Sequence, residues 1–570
     1  CSPAWDKCQV LRYLEKWPGH FIQLVVFQNT KGTMFDYRQF FCSLLLASGA
    51  ASRWIVPGGR WLDTDGNRVN AHAGNVYYDE PSGKYWLYGE YKTEETPEGG
   101  GISAYSSPDL VTWEFHGLAL DNENYTALLQ GFATSPVPEG PYSFVSATAP
   151  LGNWSQDFGM FTDYKSGETY ALYSNGDTVE GRDNYITRYN ANVSELEEVV
   201  YRFPKFDLEA PTIIQTEKSY YCMMSHKTGY RPNNVVAFRA DSLEGPWSQP
   251  WIIAPLNTRT YNSQSGYSMR IVGSEATTYL YMGDQWDLNS IWDARYLWVP
   301  MNIDDDEGDL SLEWHDVYDL NVETGVVTPI QGQTYYSVDA EVTGDAYHQE
   351  ANFAANNSIV TGIYGNESKV TFTGIEGSGE LQWVSFYYQN IDDMGFGDQP
   401  QGSPDRIGGT WKIRRIGSVI VNDDPSTLET LYARDTHKGI ILSTPLQLKL
   451  ESGSHNTITI GGLNNSVEGN IDFQGPDVDR LVCFLDNERS WLIQTELLIF
   501  IVYPPEPAGD AASADHGLYH GQMDDMYCPS DCRSHGLAIC DIPEFEKVHH
   551  RGGNGHMGGG WNSAPGGQQH

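Results

Sequence analysis

The feature that most constrains this chain is a short aromatic strand pattern that returns through its first half. The copies are Tyr85-Trp86-Leu87-Tyr88, Tyr170-Ala171-Leu172-Tyr173, Tyr220-Tyr221-Cys222-Met223 and Tyr279-Leu280-Tyr281-Met282. A companion pattern follows three of the units. It runs from Ala104 to Trp113, from Ala133 through Ser135-Pro136 to Gly140-Pro141-Tyr142, and from Ala237 through Asp241-Ser242 to Gly245-Pro246-Trp247. Aromatic and β-branched strands at a spacing of ~50 residues, separated by Gly, Asp and Ser turns, predict propeller blades. An array of ordinary β-sandwiches is the plainer reading of the same strands. A propeller gathers one strand end per blade around an axis, so it brings carboxylates from distant parts of the chain into one pocket. The spacing has one irregularity. The first interval is about 85 residues, where the later ones are about 50–60. Unit two keeps its companion pattern at Ala133 with no aromatic strand before it. Blade two is therefore expected to be truncated.

A chain of 570 residues has room for two or three domains. Its net charge of −40 argues against nucleic acid as a partner, because a polyanion is repelled, and against a membrane surface. Residues 34–52 read as a secretion signal, with a short n-region at Met34-Phe35-Asp36-Tyr37-Arg38, an apolar stretch at 40–46 and small residues at 47–52. The apolar stretch is too short to span a bilayer. Residues 1–52 are accordingly set apart from the fold, and 1–33, upstream of Met34, read as an imperfect gene model. Six glycosylation sequons, at Asn124, Asn153, Asn192, Asn356, Asn366 and Asn464, fit a secreted, extracellular protein. Beyond the signal stand Cys222, Cys483, Cys528, Cys532 and Cys540. The first two sit in apolar strands and are expected as buried thiols. The last three cluster near the end without a fourth zinc ligand.

Residues 53–325 form the repeat region and 326–334 read as a connector. Residues 335–500 alternate apolar and polar in short strands such as Lys369-Val370-Thr371-Phe372 and Thr457-Ile458-Thr459-Ile460, which predicts a β-sandwich. Residues 504–570 are rich in Pro, Gly, His and Ser, and are expected to be disordered. The predicted fold class is all-β, a propeller followed by a sandwich.

Three acidic residues stand at strand ends of the repeat region: Glu90 after Tyr88-Gly89, Asp157 before Phe158-Gly159, and Glu209 in Leu208-Glu209-Ala210-Pro211. Glycoside hydrolysis needs a proton donor for the leaving oxygen and, in inverting enzymes, a means of activating water on the opposite face. An apolar setting or a neighbouring carboxylate keeps a donor protonated. Glu209, between Leu208, Ala210 and Pro211, fits such a donor, and Asp157 from the preceding unit is placed to tune it. Read singly, each is equally a turn or capping residue.

Several motifs in order raise the specificity. Trp61-Leu62-Asp63-Thr64-Asp65-Gly66-Asn67, Asn70-Ala71-His72-Ala73-Gly74, Tyr88-Gly89-Glu90-Tyr91-Lys92, Leu208-Glu209-Ala210-Pro211, Ser225-His226-Lys227-Thr228-Gly229-Tyr230, Asn262-Ser263-Gln264-Ser265 and Met282-Gly283-Asp284-Gln285-Trp286 together resemble glycoside hydrolase family 43 across residues 54–325. The resemblance is to its exo-β-1,3-galactanase (galactan 1,3-β-galactosidase) subfamily. It implies a five-bladed propeller, an inverting mechanism and no catalytic cofactor. It implies Glu209 as general acid, Asp157 as the carboxylate that tunes and orients it, Gln264 at a position where an ordinary base is replaced by glutamine, and Glu90 and Thr228 as sugar contacts. An amide is not basic enough for ordinary base catalysis, so Gln264 would orient water or hold substrate.

The chain departs from that pattern in unit two, where the subfamily's Glu-Arg-Pro-Lys motif and the aromatic strand after it are missing between Leu120 and Phe132. A skipped exon or a degenerate enzyme would each produce the gap. Residues 335–500 resemble a family 35 carbohydrate-binding module, on Val338-Asp339-Ala340-Glu341-Val342, the stretch from Trp383 to Asn390, Asn456-Thr457-Ile458 and Asp477-Val478-Asp479-Arg480. That resemblance implies a structural calcium, for which Asp339, Glu341 and Asp479 offer hard oxygen ligands; read alone, the three are surface acids. Trp383 and Tyr387 are either sugar-stacking platforms or core. The expected protein is a secreted monomer that releases galactose from the β-1,3-galactan of arabinogalactan side chains. The rivals are an arabinofuranosidase or xylosidase of the same family, which would carry an Asp base that the Asn70-Ala71-His72 stretch lacks, and an inactive galactan-binding protein.

Overall fold

A computed structural model describes residues 54–97, 99–121, 130–176, 182–228, 232–287, 290–391, 415–465, 471–472 and 474–486, with three further strands outside them. The expected signal (34–52), the sequon Asn124 and the tail (504–570) with Cys528, Cys532 and Cys540 lie outside the described residues. Two strands do occur in the segment set apart from the fold: Val10–Trp17 and His20–Gln28 pair antiparallel, and Leu498–Tyr503 runs parallel to the second.

Five antiparallel sheets follow one another in the repeat region. Sheet one holds His72–Asp79, Lys84–Glu90, Gly101–Ser107 and Glu114–Asp121. Sheet two holds Gln130–Thr134 and Ser143–Thr148. Sheet three holds Gln156–Thr162, Thr169–Ser174, Asn184–Tyr189 and Leu196–Phe203; sheet four holds Leu208–Gln215, Tyr220–His226, Val235–Ala240 and Trp251–Ile252; sheet five holds Gln264–Val272, Thr277–Gln285, Arg295–Asp304 and Asp309–Leu312. The four aromatic copies are the second strands of the four-stranded sheets. They read as near-continuous apolar runs because both faces are covered: Tyr173, Tyr221 and Tyr281 are fully buried. The companion pattern supplies third strands at Gly101–Ser107 and Val235–Ala240. In sheet two the same pattern lies in Gln130–Thr134, so the two strands seen there answer to the third and fourth of the other sheets.

First strands lie beside first strands. Gln156–Thr162 neighbours Leu208–Gln215, which neighbours Gln264–Val272, which neighbours His72–Asp79. The apolar clusters between the sheets follow this order, one joining sheets three and four and another sheets four and five. The stretch expected as a connector is partly sheet: Val326–Pro329 pairs with Tyr318–Asn321, and Ile55 bridges to Tyr318.

Residues 333–484 form a sandwich. One sheet runs Tyr347–Glu350, Ser358–Thr361, Asp477–Cys483, Leu381–Gln389, Leu442–Lys449, with Gln333–Tyr336 also on Asp477–Cys483. The other runs Glu341–Thr343, Lys369–Gly377, Gly453–Gly462, Arg415–Val421, Glu429–Ala433. Alternate residues from both sheets, among them Val384, Phe386 and Leu481 against Val370, Phe372, Val419 and Ile460, make a single core. Cys222 and Cys483 are both buried free thiols.

The sandwich packs on the repeat region through Trp383 and Tyr387. Trp383 joins Trp54, Val56, Val317, Val482 and Phe484 in one cluster. Gly59 permits that fit, since a Cβ there would lie 2.9 Å from the Trp383 ring. The Tyr387 hydroxyl donates to Asp316 at 2.5 Å, and the Arg480 guanidinium sits 3.6 Å from the Tyr387 ring centroid. Both aromatics are thus used in packing and are not free to stack on sugar.

Candidate active site

The site grows from a repeated local irregularity. The pairing of the first and second strands shifts register near the same end in all four four-stranded sheets: between His72 and Asn75, Leu172 and Ser174, Glu209 and Thr212, and Ser265 and Tyr267. Three of these irregularities carry a non-glycine residue in the left-handed region, Ala73 (φ 47°), Asp157 (φ 52°) and Ala210 (φ 54°). Each such residue costs on the order of 1–2 kcal/mol, and a bulge of this kind re-aims the side chain beside it. His72, Asp157, Glu209 and Gln264 all stand in the first two residues of their strands, at these bulged ends. Gly89 permits the closeness on sheet one, because a Cβ there would lie 2.3 Å from the Ala71 carbonyl carbon.

Three of the expected residues meet. Arg182 donates from Nη1 to Asp157 Oδ2 at 2.6 Å and to Glu209 Oε2 at 2.9 Å. Gln264 donates from Nε2 to Glu209 Oε1 at 2.8 Å and to Ser225 Oγ at 3.0 Å, and its Oε1 accepts from Trp286 Nε1 at 2.9 Å. Glu209 is 8% exposed. Burial, and then the charge of Asp157, push its carboxyl up from 4.5 to about 7; Arg182, Gln264 and Lys227 oppose the rise without cancelling it. One buried guanidinium shared by two carboxylates explains the balance. It neutralises one of them, and the more buried of the two is the one on which a proton is least costly. The arrangement supplies a carboxylic acid that is protonated up to neutral pH.

Glu90 ends the second strand of sheet one, register partner to His72, and pairs with the buried Lys92 at 2.6 Å. Asn70 fixes that lysine's backbone, donating from Nδ2 to its carbonyl (2.6 Å) and accepting its N–H (3.0 Å). Thr228 is half-buried just after the second strand of sheet four.

Arg182 was not singled out by sequence reasoning. A lone arginine in a polar loop gives no signal until the fold sets it between two acids. The wall formed by His72 and Asp284 was also missed, although both stand in quoted motifs. His72 Nδ1 lies 3.6 Å from Asp284 Oδ1, its ring stacks on Tyr296 at 5.7 Å, and Asp284 Oδ2 accepts from the Ala73 N–H at 3.1 Å. The available signal was position, since His72 opens its strand as Gln264 does, and Glu209 stands second in its own.

The expected calcium ligands are not brought together. Asp339 and Glu341 are exposed. Asp479 is fully buried, where it accepts the Ala355 N–H at 2.8 Å and pairs with Arg480. Burial pushes its carboxyl up. Among the described residues no group of three or more His, Cys, Asp or Glu side chains is placed to hold a metal ion. A carboxylate that is buried and already paired with a guanidinium does not fit a calcium ligand, because the cation would have to displace its charge partner.

Neither a protein-family model nor a curated protein matches the chain. Solved structures do. An exo-β-1,3-galactanase from Phanerochaete chrysosporium, with galactose, is 26% identical at a TM-score of 0.63, covering 76% of this chain and 100% of that one. Two further structures of that enzyme match equally, each with one glutamate replaced, by alanine or by glutamine, and each with β-1,3-galactotriose. An exo-β-1,3-galactanase from Clostridium thermocellum is 21% identical at a TM-score of 0.44, over 58% of this chain and 81% of that one. The class that this fold and this acid pair support is a glycoside hydrolase. The solved structure that it resembles at 26% identity and a TM-score of 0.63 is an exo-β-1,3-galactanase.

Proposed function

We propose that this chain is a secreted, monomeric exo-β-1,3-galactanase of glycoside hydrolase family 43, with the five sheets as propeller blades and the sandwich as a carbohydrate-binding module. It would release galactose from the β-1,3-galactan of arabinogalactan side chains with inversion. The observation that carries this reading is the buried Glu209, held against Arg182, Asp157 and Gln264. Glu209 gives its proton to the glycosidic oxygen as the bond to the leaving sugar breaks. Asp157 keeps that proton in place by disfavouring a second negative charge, and Arg182 fixes both carboxyl groups. Gln264 fixes the acid and holds substrate: its amide nitrogen donates to Glu209 and Ser225, whereas its carbonyl, already bonded to Trp286, retains a second lone pair that can accept from a sugar hydroxyl. Glu90, anchored by Lys92, and Thr228 contact the sugar. Exposure of Asn192, Asn356 and Asn366 suits glycan attachment and favours secretion.

Release of galactose from β-1,3-galactan by the full chain tests the reading. Glu209→Gln keeps the shape and the Gln264 contact but holds no transferable proton, so turnover should fall by roughly 10²–10⁴-fold with binding retained. Undiminished turnover would remove Glu209 from the acid role. The two-stranded sheet two favours a second reading, a galactan-binding protein without activity. Galactan bound by the folded wild type with no galactose released would establish it.

A further inference from the structure

The residues just before Gln264 adopt a costly backbone. Arg259, Thr260, Tyr261 and Asn262 are all left-handed, with φ between 52° and 56°, and none is glycine. Such a turn is costly for L-residues at every one of its four positions, and the β-branched Thr260 is among the worst occupants. It persists only if its surroundings over-determine it.

Some of the support is local to the repeat region. Thr260 Oγ1 accepts the Val235 N–H at 2.8 Å, Gln285 Nε2 donates to the Tyr261 carbonyl at 2.8 Å, and Ser263 Oγ meets the Tyr281 hydroxyl at 3.0 Å. The rest comes from the sandwich. Arg259 Nη2 pairs with Asp435 Oδ2 at 3.0 Å, and Arg259 Nη1 donates to the Asp435 carbonyl at 3.2 Å. Asn262 Nδ2 donates to the same carbonyl at 3.3 Å. Arg434, next in the chain, donates to the Gln285 carbonyl at 3.1 Å. Arg259, Asn262 and Asp435 are all buried, so this pair is shielded from water and salt. The loop that carries Asp435 is itself fixed. Thr436 donates its N–H to the Asn390 carbonyl (2.7 Å), and Asn390 Nδ2 donates to the Ala433 carbonyl (3.0 Å).

We propose that the sandwich is a positioning element of the active site: Asp435 clamps the left-handed turn that sets Gln264 against Glu209. The chain from Asn262 to Gln264 passes through one residue, the fully buried Ser263. A turn that relaxes toward ordinary backbone therefore moves Gln264 directly. The inference rests on the roles proposed above for Gln264 and Glu209, and gives the sandwich a task besides holding polysaccharide.

Full-chain Asp435→Asn and Arg259→Met, with Arg259→Lys as the conservative rescue, test it in two ways. The Gln264 bond lowers the Glu209 value, so its loss should shift the alkaline limb of kcat/KM to higher pH. Asp157, Arg182 and Lys227, the other charges that face Glu209, are untouched by these variants. A misplacement of about 1 Å should lower kcat by roughly 10²-fold, with a smaller effect on KM. The second readout needs no turnover. The indole N–H resonance of Trp286, assigned with Trp286→Phe, should move in Asp435→Asn and Arg259→Met and return in Arg259→Lys. A lower melting temperature with unchanged Trp286 resonance would show a structural contact only and overturn the proposal, as would unchanged kcat and pH profile in an active protein. If the wild type proves inactive, the galactanase reading falls while the Trp286 resonance still decides whether Asp435 governs Gln264. Asp435→Asn keeps side-chain shape and both bonds to the backbone carbonyl, and so serves if Arg259→Met does not fold.

Discussion

A shared guanidinium governs the site residue by residue. Glu209 and Gln264 were legible because short motifs surround them, and Asp157 because it stands just before Phe158-Gly159-Met160-Phe161. Arg182 was not, because its role exists only once sheets three and four have set two carboxyl groups on either side of it. Its replacement is correspondingly informative. Arg182→Met leaves Asp157 and Glu209 facing each other without their nearest cation. The Glu209 proton should then be held to higher pH, and the alkaline limb of kcat/KM should rise from about 7 by roughly one pH unit or more. Loss of the buried partner should also lower stability by about 3–5 kcal/mol in denaturant titrations. Glu209 carries a pH signature of its own. Its folded value lies above its unfolded one, so its contribution to stability is complete below pH 4.5 and is lost as pH rises through about 7. Relative to Glu209→Gln, the wild type should therefore lose on the order of 3 kcal/mol across that window. A stability difference that stays flat with pH would contradict the raised value.

Sheet two is where the elements depart from their own repeat. Its shortness was readable from the spacing of Tyr85 and Tyr170, since a repeat length is a property of sequence alone. What could not be read was how the remaining strands would fare. Ser143–Thr148 is exposed along nearly its whole length, with Val145 60% exposed, and its only described sheet partner is Gln130–Thr134. Gln130–Thr134 is covered where Gln130 and Phe132 meet Tyr189, and a two-stranded ribbon with so little cover is marginal. Hydrogen exchange should show the amides of these two strands roughly 10²-fold less protected than those of Tyr220–His226, which is paired on both sides in sheet four. Equal protection would mean that further chain covers the ribbon. The bulged strand ends were likewise invisible beforehand. Nothing about Ala73 or Ala210 as residue types announces a left-handed backbone, and the surrounding sheets impose it.

The molecule as a whole is joined by residues whose alternation gave the right strand but not the right neighbour. Trp383 and Tyr387 share one face of their strand, and the sequence could not say whether that face met sugar, core or another region. It meets the repeat region. Trp383→Ala should cost about 3–5 kcal/mol and separate the melting of the sandwich from that of the sheets in calorimetry. A single unshifted transition would show the contact to be incidental. The two interior cysteines extend this point. Cys222 lies in the second strand of sheet four and Cys483 in the sandwich, each shut away from solvent, and burial holds the Cys483 thiol up at about 12. An alkylating reagent therefore reaches either sulfur only while its surroundings are open. The chain thus carries two internal clocks, one in each region, and the ratio of their rates states directly whether the halves breathe together or apart.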